Sequence, residues 1–129
     1  MAYVRDLMSL GAVTVSPVAS LDEARAKLHA HRIHHLIVVD GRQIVGVVSY
    51  RDLLGKGDEL AVREVMSRDV VTVVPTDTAR SVASRLLGKT HGCAAVLEHD
   101  ELAGVLTTTD LLRAISAHAT ETEPAQARR

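Results

Sequence analysis

A chain of 129 residues and 13.9 kDa has room for one compact domain, and not for an enzyme domain with a regulatory one beside it. Hydrophobic residues at 47% and charged residues at 24% supply a core and exclude a disordered chain. Fifteen Lys and Arg against sixteen Asp and Glu leave a net charge of -1, without the basic field that nonspecific nucleic-acid binding requires.

The elements repeat along the chain. Val4-Arg5-Asp6-Leu7-Met8-Ser9 returns as Val62-Arg63-Glu64-Val65-Met66-Ser67, and at this constant offset of 58 residues 15 of the 51 positions from 4 to 54 are identical, without a gap. In each copy a short amphipathic segment (Val4 to Met8; Val62 to Met66) leads into a β run, Ala12 to Val15 or Val70 to Val74, stopped by Pro17 or Pro75. A helix follows, with Leu21, Ala24 and Leu28 on one face in the first copy and Ala79, Val82, Ala83, Leu86 and Leu87 in the second. Ser20 and Thr78 are placed to cap these helices.

A hairpin comes next: Leu36 to Val39, the Asp40-Gly41 turn signal, then Ile44 to Val48, matched by Ala94 to Leu97 and Leu102 to Leu106. A helix from about Tyr50 or Thr108 closes each copy. The unit is β-α-β-β-α, so the fold class is α/β of the α+β kind, with two units packed as a pseudo-two-fold pair. Repeat one is expected over 1–58, with a hinge at 55–59, repeat two over 59–117, and a loose polar tail over 118–129. One unit alone buries too little surface, so the two pack together.

Each hairpin ends in Gly-apolar-apolar-Ser/Thr-x-x-Asp: Gly46 to Asp52 and Gly104 to Asp110. One reading is a capping box, in which a hydroxyl residue and an acid three positions on satisfy free N–H groups at a helix start. The other uses the same geometry for a nucleotide: a helix N-terminus meets a phosphate while a carboxylate accepts ribose hydroxyls. Gly46 and Gly104 allow close approach of a ligand or of a second backbone.

These residues, with Val13-Thr14-Val15 and the approach Arg32 to Gly41, resemble a tandem pair of CBS domains, a Bateman module, over residues 4 to about 115. The resemblance implies a stand-alone, non-enzymatic sensor that forms a homodimer. It also implies AMP, ADP, ATP or a related adenosyl compound as regulatory ligand, in clefts between the copies, with no required cofactor. Carried over, Asp52 and Asp110 hold ribose, with Ser49 and Thr107 near ribose or phosphate. Asp110 shares a cleft with Met8, Val13, Ile33 and His34, and Asp52 with Met66, Val71, His91 and Gly92. Where the family commonly has Pro, this chain has Ile37 and Ala95.

Arg51 beside Asp52 suggests a cleft favouring more highly phosphorylated nucleotides, whereas Thr108 and Thr109 beside Asp110, with His34, suggest AMP or an uncharged adenosyl group. His29, His31, His34 and His35 span a helix end and a strand start with no Cys or Glu cluster, so no metal is expected. Cys93 alone forms no internal disulfide and reads as a small buried hydrophobe. No apolar run approaches the ~20 residues of a membrane helix, and Met1 to Asp6 does not read as a signal peptide. A cytoplasmic protein without membrane or nucleic-acid partners is expected, possessing an effector protein still to be identified. The alternative function is a non-catalytic dimerisation or interaction scaffold with degenerate pockets.

Overall fold

A computed structural model describes residues 1–122, and side chains up to residue 117. The chain runs α1 (Val4–Leu7), β1 (Ser9–Leu10), β2 (Thr14–Val15), α2 (Leu21–His31), β3 (His35–Asp40), β4 (Gln43–Ser49) and α3 (Tyr50–Leu53). A 3-10 turn at Val62–Glu64 then leads to β5 (Val71–Val73), α4 (Ala79–Leu86), β6 (Cys93–Glu98), β7 (Glu101–Thr107) and α5 (Thr108–Thr122). The α+β pair of β-α-β-β-α repeats read from the sequence is the observed fold. The closing helices differ sharply: α3 is a single turn, whereas α5 has 15 residues. Helix α5 continues five residues into the segment expected as a tail, and 123–129 lie outside the described residues. No described helix is long and apolar enough to cross a membrane.

Two sheets form, β2-β3-β4 and β1-β7-β6-β5. Each contains a parallel pair (β2 with β3, β5 with β6) and an antiparallel hairpin. Strand β1, from the first repeat, pairs with β7 of the second, Ser9 opposite Val105. Ser67 answers from the second repeat by bridging Val47 of β4. The leading segments are thus exchanged. Val4 N–H donates to Asp77 C=O at 2.9 Å and Val62 N–H to Ala19 C=O at 2.8 Å, and both valines are fully buried, each in the core of the other repeat. Burial of one such side chain contributes about 1.5–3 kcal/mol, so the exchange ties the repeats into one folding unit.

The hairpin strands are largely buried on both faces, which is why they read as continuous apolar runs. Leu36, Val38 and Val48 face α2, while Ala94, Val96 and Leu106 face α4 and α5. The alternate residues Ile37, Val47, Cys93 and Ala95 form a third cluster between the sheets. Ile37 and Ala95 therefore build the inter-repeat core and line neither cleft described below. On α4, Val82 and Leu86 are buried with Ala79 partly so, but Ala83 and Leu87 face outward, because the helix ends at Leu86 before a second apolar row meets the sheet. The expected hinge is tied down: Arg25 forms an ion pair with Asp58 and donates to the Leu53 and Lys56 carbonyls at 2.8 Å.

Candidate functional site

Both hairpins end by delivering an acid to a helix start. Asp52 Oδ2 accepts from Ser49 N–H at 2.7 Å and from Ser49 Oγ at 3.1 Å. Asp110 Oδ2 accepts from Thr107 N–H at 2.8 Å and Thr107 Oγ1 at 3.0 Å, and Thr107 Oγ1 accepts in turn from Asp110 N–H at 3.3 Å. The capping reading of the motif is therefore realised in each repeat, and it positions each carboxylate rigidly. The motif glycines serve the exchanged segments. A Cβ at Gly104 would run into the Ser9 carbonyl and approach Met8 Cε, and one at Gly46 would meet Met66 Sδ at 2.7 Å and Ser67 O at 2.8 Å.

The larger inter-repeat cleft, about 540 Å³, is lined by Asp110. Thr107, Thr108 and Thr109 come from the same hairpin end; Val13, Arg32, Ile33, His34 and His35 come from the first repeat; Gly92, Cys93, Val105 and Arg113 come from the second. Among the described residues, the hydrogen bonds that the Asp110 carboxylate accepts come from Thr107 alone. Aliphatic walls, a carboxylate and two arginines meet at the start of a 15-residue helix, whose dipole favours an anion.

The smaller cleft, about 330 Å³, is lined by His34, His35, Ser49, Tyr50, Arg51, Thr90 and His91. Asp52 stands behind it, because His91 Nε2 lies 2.8 Å from Asp52 Oδ2. His91 is 8% exposed, and the His35 ring packs edge-on against it with centroids 6.0 Å apart. Burial, together with His91 and His34, lowers the His35 pKa below 6.5, against a smaller opposing pull from Asp52. At the equivalent position of the second repeat, burial and then Asp110 push the Cys93 thiol up to about 12, so it is protonated and unreactive.

The expected site residues divide. Asp110, Thr107, Thr109, Val13, Ile33 and His34 meet at the larger cleft, and Ser49, Arg51 and His91 at the smaller, where His91 contacts Asp52. Gly92, expected with Asp52, lines the Asp110 cleft instead, drawn there by its carbonyl accepting from Thr108 N–H at 2.8 Å. Met8 and Met66 line neither cleft, because the exchanged segments carry them against the opposite cores. Val71 is also in the core, since its register with Ala94 aims it at α4. Arg51 is exposed at the small cleft, and the Thr cleft, expected to suit AMP or an uncharged adenosyl group, is also lined by Arg32 and Arg113. Arg113 sits one turn beyond Asp110 on α5, a spacing that marks it in the sequence; Arg32 is held by a left-handed turn, φ 54°, with no local signal. Among the described residues no group of three His, Cys, Asp or Glu is disposed to hold a metal ion.

Residues 4–58 and 62–117 each match the CBS domain family. The chain belongs to that family and carries two CBS domains in tandem. It is 37% identical over 103 residues to inosine-5'-monophosphate dehydrogenase of Korarchaeum cryptofilum, covering 77% of this chain and 21% of the dehydrogenase. It thus spans about a fifth of that relative's length. The structure of CBSX2 in complex with AMP aligns with a TM-score of 0.74 at 27% identity, over 92% of this chain and 98% of that one. The cytosolic domain of the Mg2+ channel MgtE in complex with ATP aligns with a TM-score of 0.75 at 26% identity, over 88% and 48%. CBS-pair relatives of this chain therefore bind adenine nucleotides.

Proposed function

We propose that this chain is an adenine-nucleotide-binding regulatory module that takes AMP, ADP, ATP or a related adenosyl ligand in the Asp110 cleft, without catalysing a reaction. The observation that carries this reading is the Asp110 carboxylate, fixed by Thr107 and lining a cleft of about 540 Å³ built from both repeats. That volume lies within the ~300–1,000 Å³ of small-molecule sites. Asp110 accepts the ribose hydroxyls and Val13, Ile33 and Val105 supply an aliphatic wall for the base. The α5 N-terminus with Thr109, Arg113 and Arg32 receives phosphate. The AMP and ATP complexes of CBSX2 and MgtE support the ligand class.

Calorimetric titration with AMP, ADP, ATP, NAD and S-adenosylmethionine tests this: micromolar binding of one of them is expected, and no heat with any would leave the interaction scaffold as the better reading. A purified sample should also show nucleotide absorbance, conspicuous in a chain with no Trp and two Tyr. A homodimer is part of the proposal, supported by Leu112 and Ile115, one turn apart on α5 and 60% and 66% exposed. Light scattering at the monomer mass up to millimolar concentration would refute it. We place the protein in the cytoplasm, reporting to an effector protein.

A further inference from the structure

We propose that His91 is an internal occupant of the Asp52 cleft, so that each chain binds a single nucleotide, at Asp110. The inference rests on the function proposed above, since it concerns the same pair of clefts. A carboxylate only accepts hydrogen bonds, so the 2.8 Å contact puts the proton on His91 Nε2. Asp52 Oδ2 then holds three donors: Ser49 N–H, Ser49 Oγ–H and the imidazole. The carboxylate that would receive a ribose is engaged by the facing repeat, and its side chain is 22% exposed under an 8% exposed ring. His35, edge-on at 6.0 Å, holds that ring in place.

The repeat itself supplies the control. The position equivalent to His91, 58 residues earlier, is Ile33, which lines the Asp110 cleft and has no side-chain donor. Asp110 therefore lines its cleft, and Asp52 does not. A ribose that engages both oxygens of Asp52 must compete with the imidazole at Oδ2, breaking a hydrogen bond to a charged group and leaving a buried imidazole unpaired, which lowers its affinity there by about 10- to 100-fold.

Titration with AMP of the full chain and its variants decides the matter. One site per chain is expected for the unsubstituted protein. Two are expected for His91→Ala and for His91→Ile, the second copying Ile33 and keeping the ring's place filled. Asp110→Ala alone should weaken binding by about 10- to 150-fold, and His91→Ile with Asp110→Ala should recover one tight site. Two sites of similar affinity in the unsubstituted chain overturn the proposal, as does a His91 variant that keeps one tight site or loses affinity. If no variant binds any adenine nucleotide, the proposed function falls, and the plug is judged without ligand. A slowly exchanging downfield His91 Nε2–H proton signal should be present in the unsubstituted protein and lost in Asp52→Ala; its absence from the unsubstituted protein overturns the plug.

Discussion

Asp52 and Asp110 stand 58 residues apart, each three positions after a hydroxyl residue at the end of a hairpin, and each carboxylate is tied to that residue in the same way. Their surroundings differ. Asp110 opens a 15-residue helix and lines a cleft of about 540 Å³ with Arg32 and Arg113. Asp52 opens a single helical turn and is covered by His91 behind a cleft of about 330 Å³. A one-turn helix has almost no aligned dipole to offer a phosphate, and a carboxylate already engaged by an imidazole has less to offer a sugar. A shared motif thus sets the local geometry of an acid, while one residue of the facing repeat, His91 or Ile33, decides whether that acid faces a ligand cleft.

The comparison breaks most visibly at the motif glycines. Gly104→Ala drives a methyl into the Ser9 backbone and should dislodge β1, destabilising the fold by about 3 kcal/mol in urea unfolding. Gly46→Ala meets the flexible end of Met66 and the Ser67 carbonyl at 2.8 Å, a milder backbone clash than at Gly104, and should cost about 1–2 kcal/mol; equal losses would mean that the exchanged segments are equivalent in rigidity. In binding, Asp110→Ala should weaken AMP by about 1.5–3 kcal/mol by calorimetry, the range for hydrogen bonds to a charged group, and the loss at Asp52→Ala should be smaller than at Asp110. Equal losses at both acids would erase the distinction between the clefts.

Smaller effects sharpen it. The first hairpin turns through Gly41 at φ 62°, whereas the second holds His99 and Asp100 at φ 53° and 63°, a left-handed pair that Asn-Gly suits better. Replacing His99-Asp100 by Asn-Gly should relieve left-handed strain of roughly 1–2 kcal/mol at position 100, offset in part by the ~0.5–1 kcal/mol entropy cost of Gly, and so give a small rise in melting temperature. At the equivalent positions His35 and Cys93, burial acts on two different groups. The His35 pKa is lowered on folding, so the unfolded chain binds the proton more readily, and the stability this contributes is lost as pH falls below about 6.5 toward the folded-state value. His35→Gln should flatten the fall in stability between pH 7 and 5; an unchanged slope would place that proton uptake elsewhere. Cys93, pushed up to about 12, should remain unmodified by thiol reagents at pH 8 until the protein unfolds.

The duplication, the β-α-β-β-α order, the caps at Ser20 and Thr78 and the acid at each hairpin end were legible in the sequence, because periodicity, turn chemistry and capping act over a few residues. The Gly41 turn was legible for the same reason. Reading along one helix face would also have reached Arg113, three residues past Asp110. Tertiary structure alone decided the rest. The exchange of leading segments packed the partly buried Met8 and Met66 against opposite cores, and strand register turned Val71 toward α4. The packing of the two sheets set His91 on an acid 39 residues away. Such contacts depend on how two whole repeats dock, and no local pattern of polar and apolar residues encodes which side chain of one repeat will meet the acid of the other.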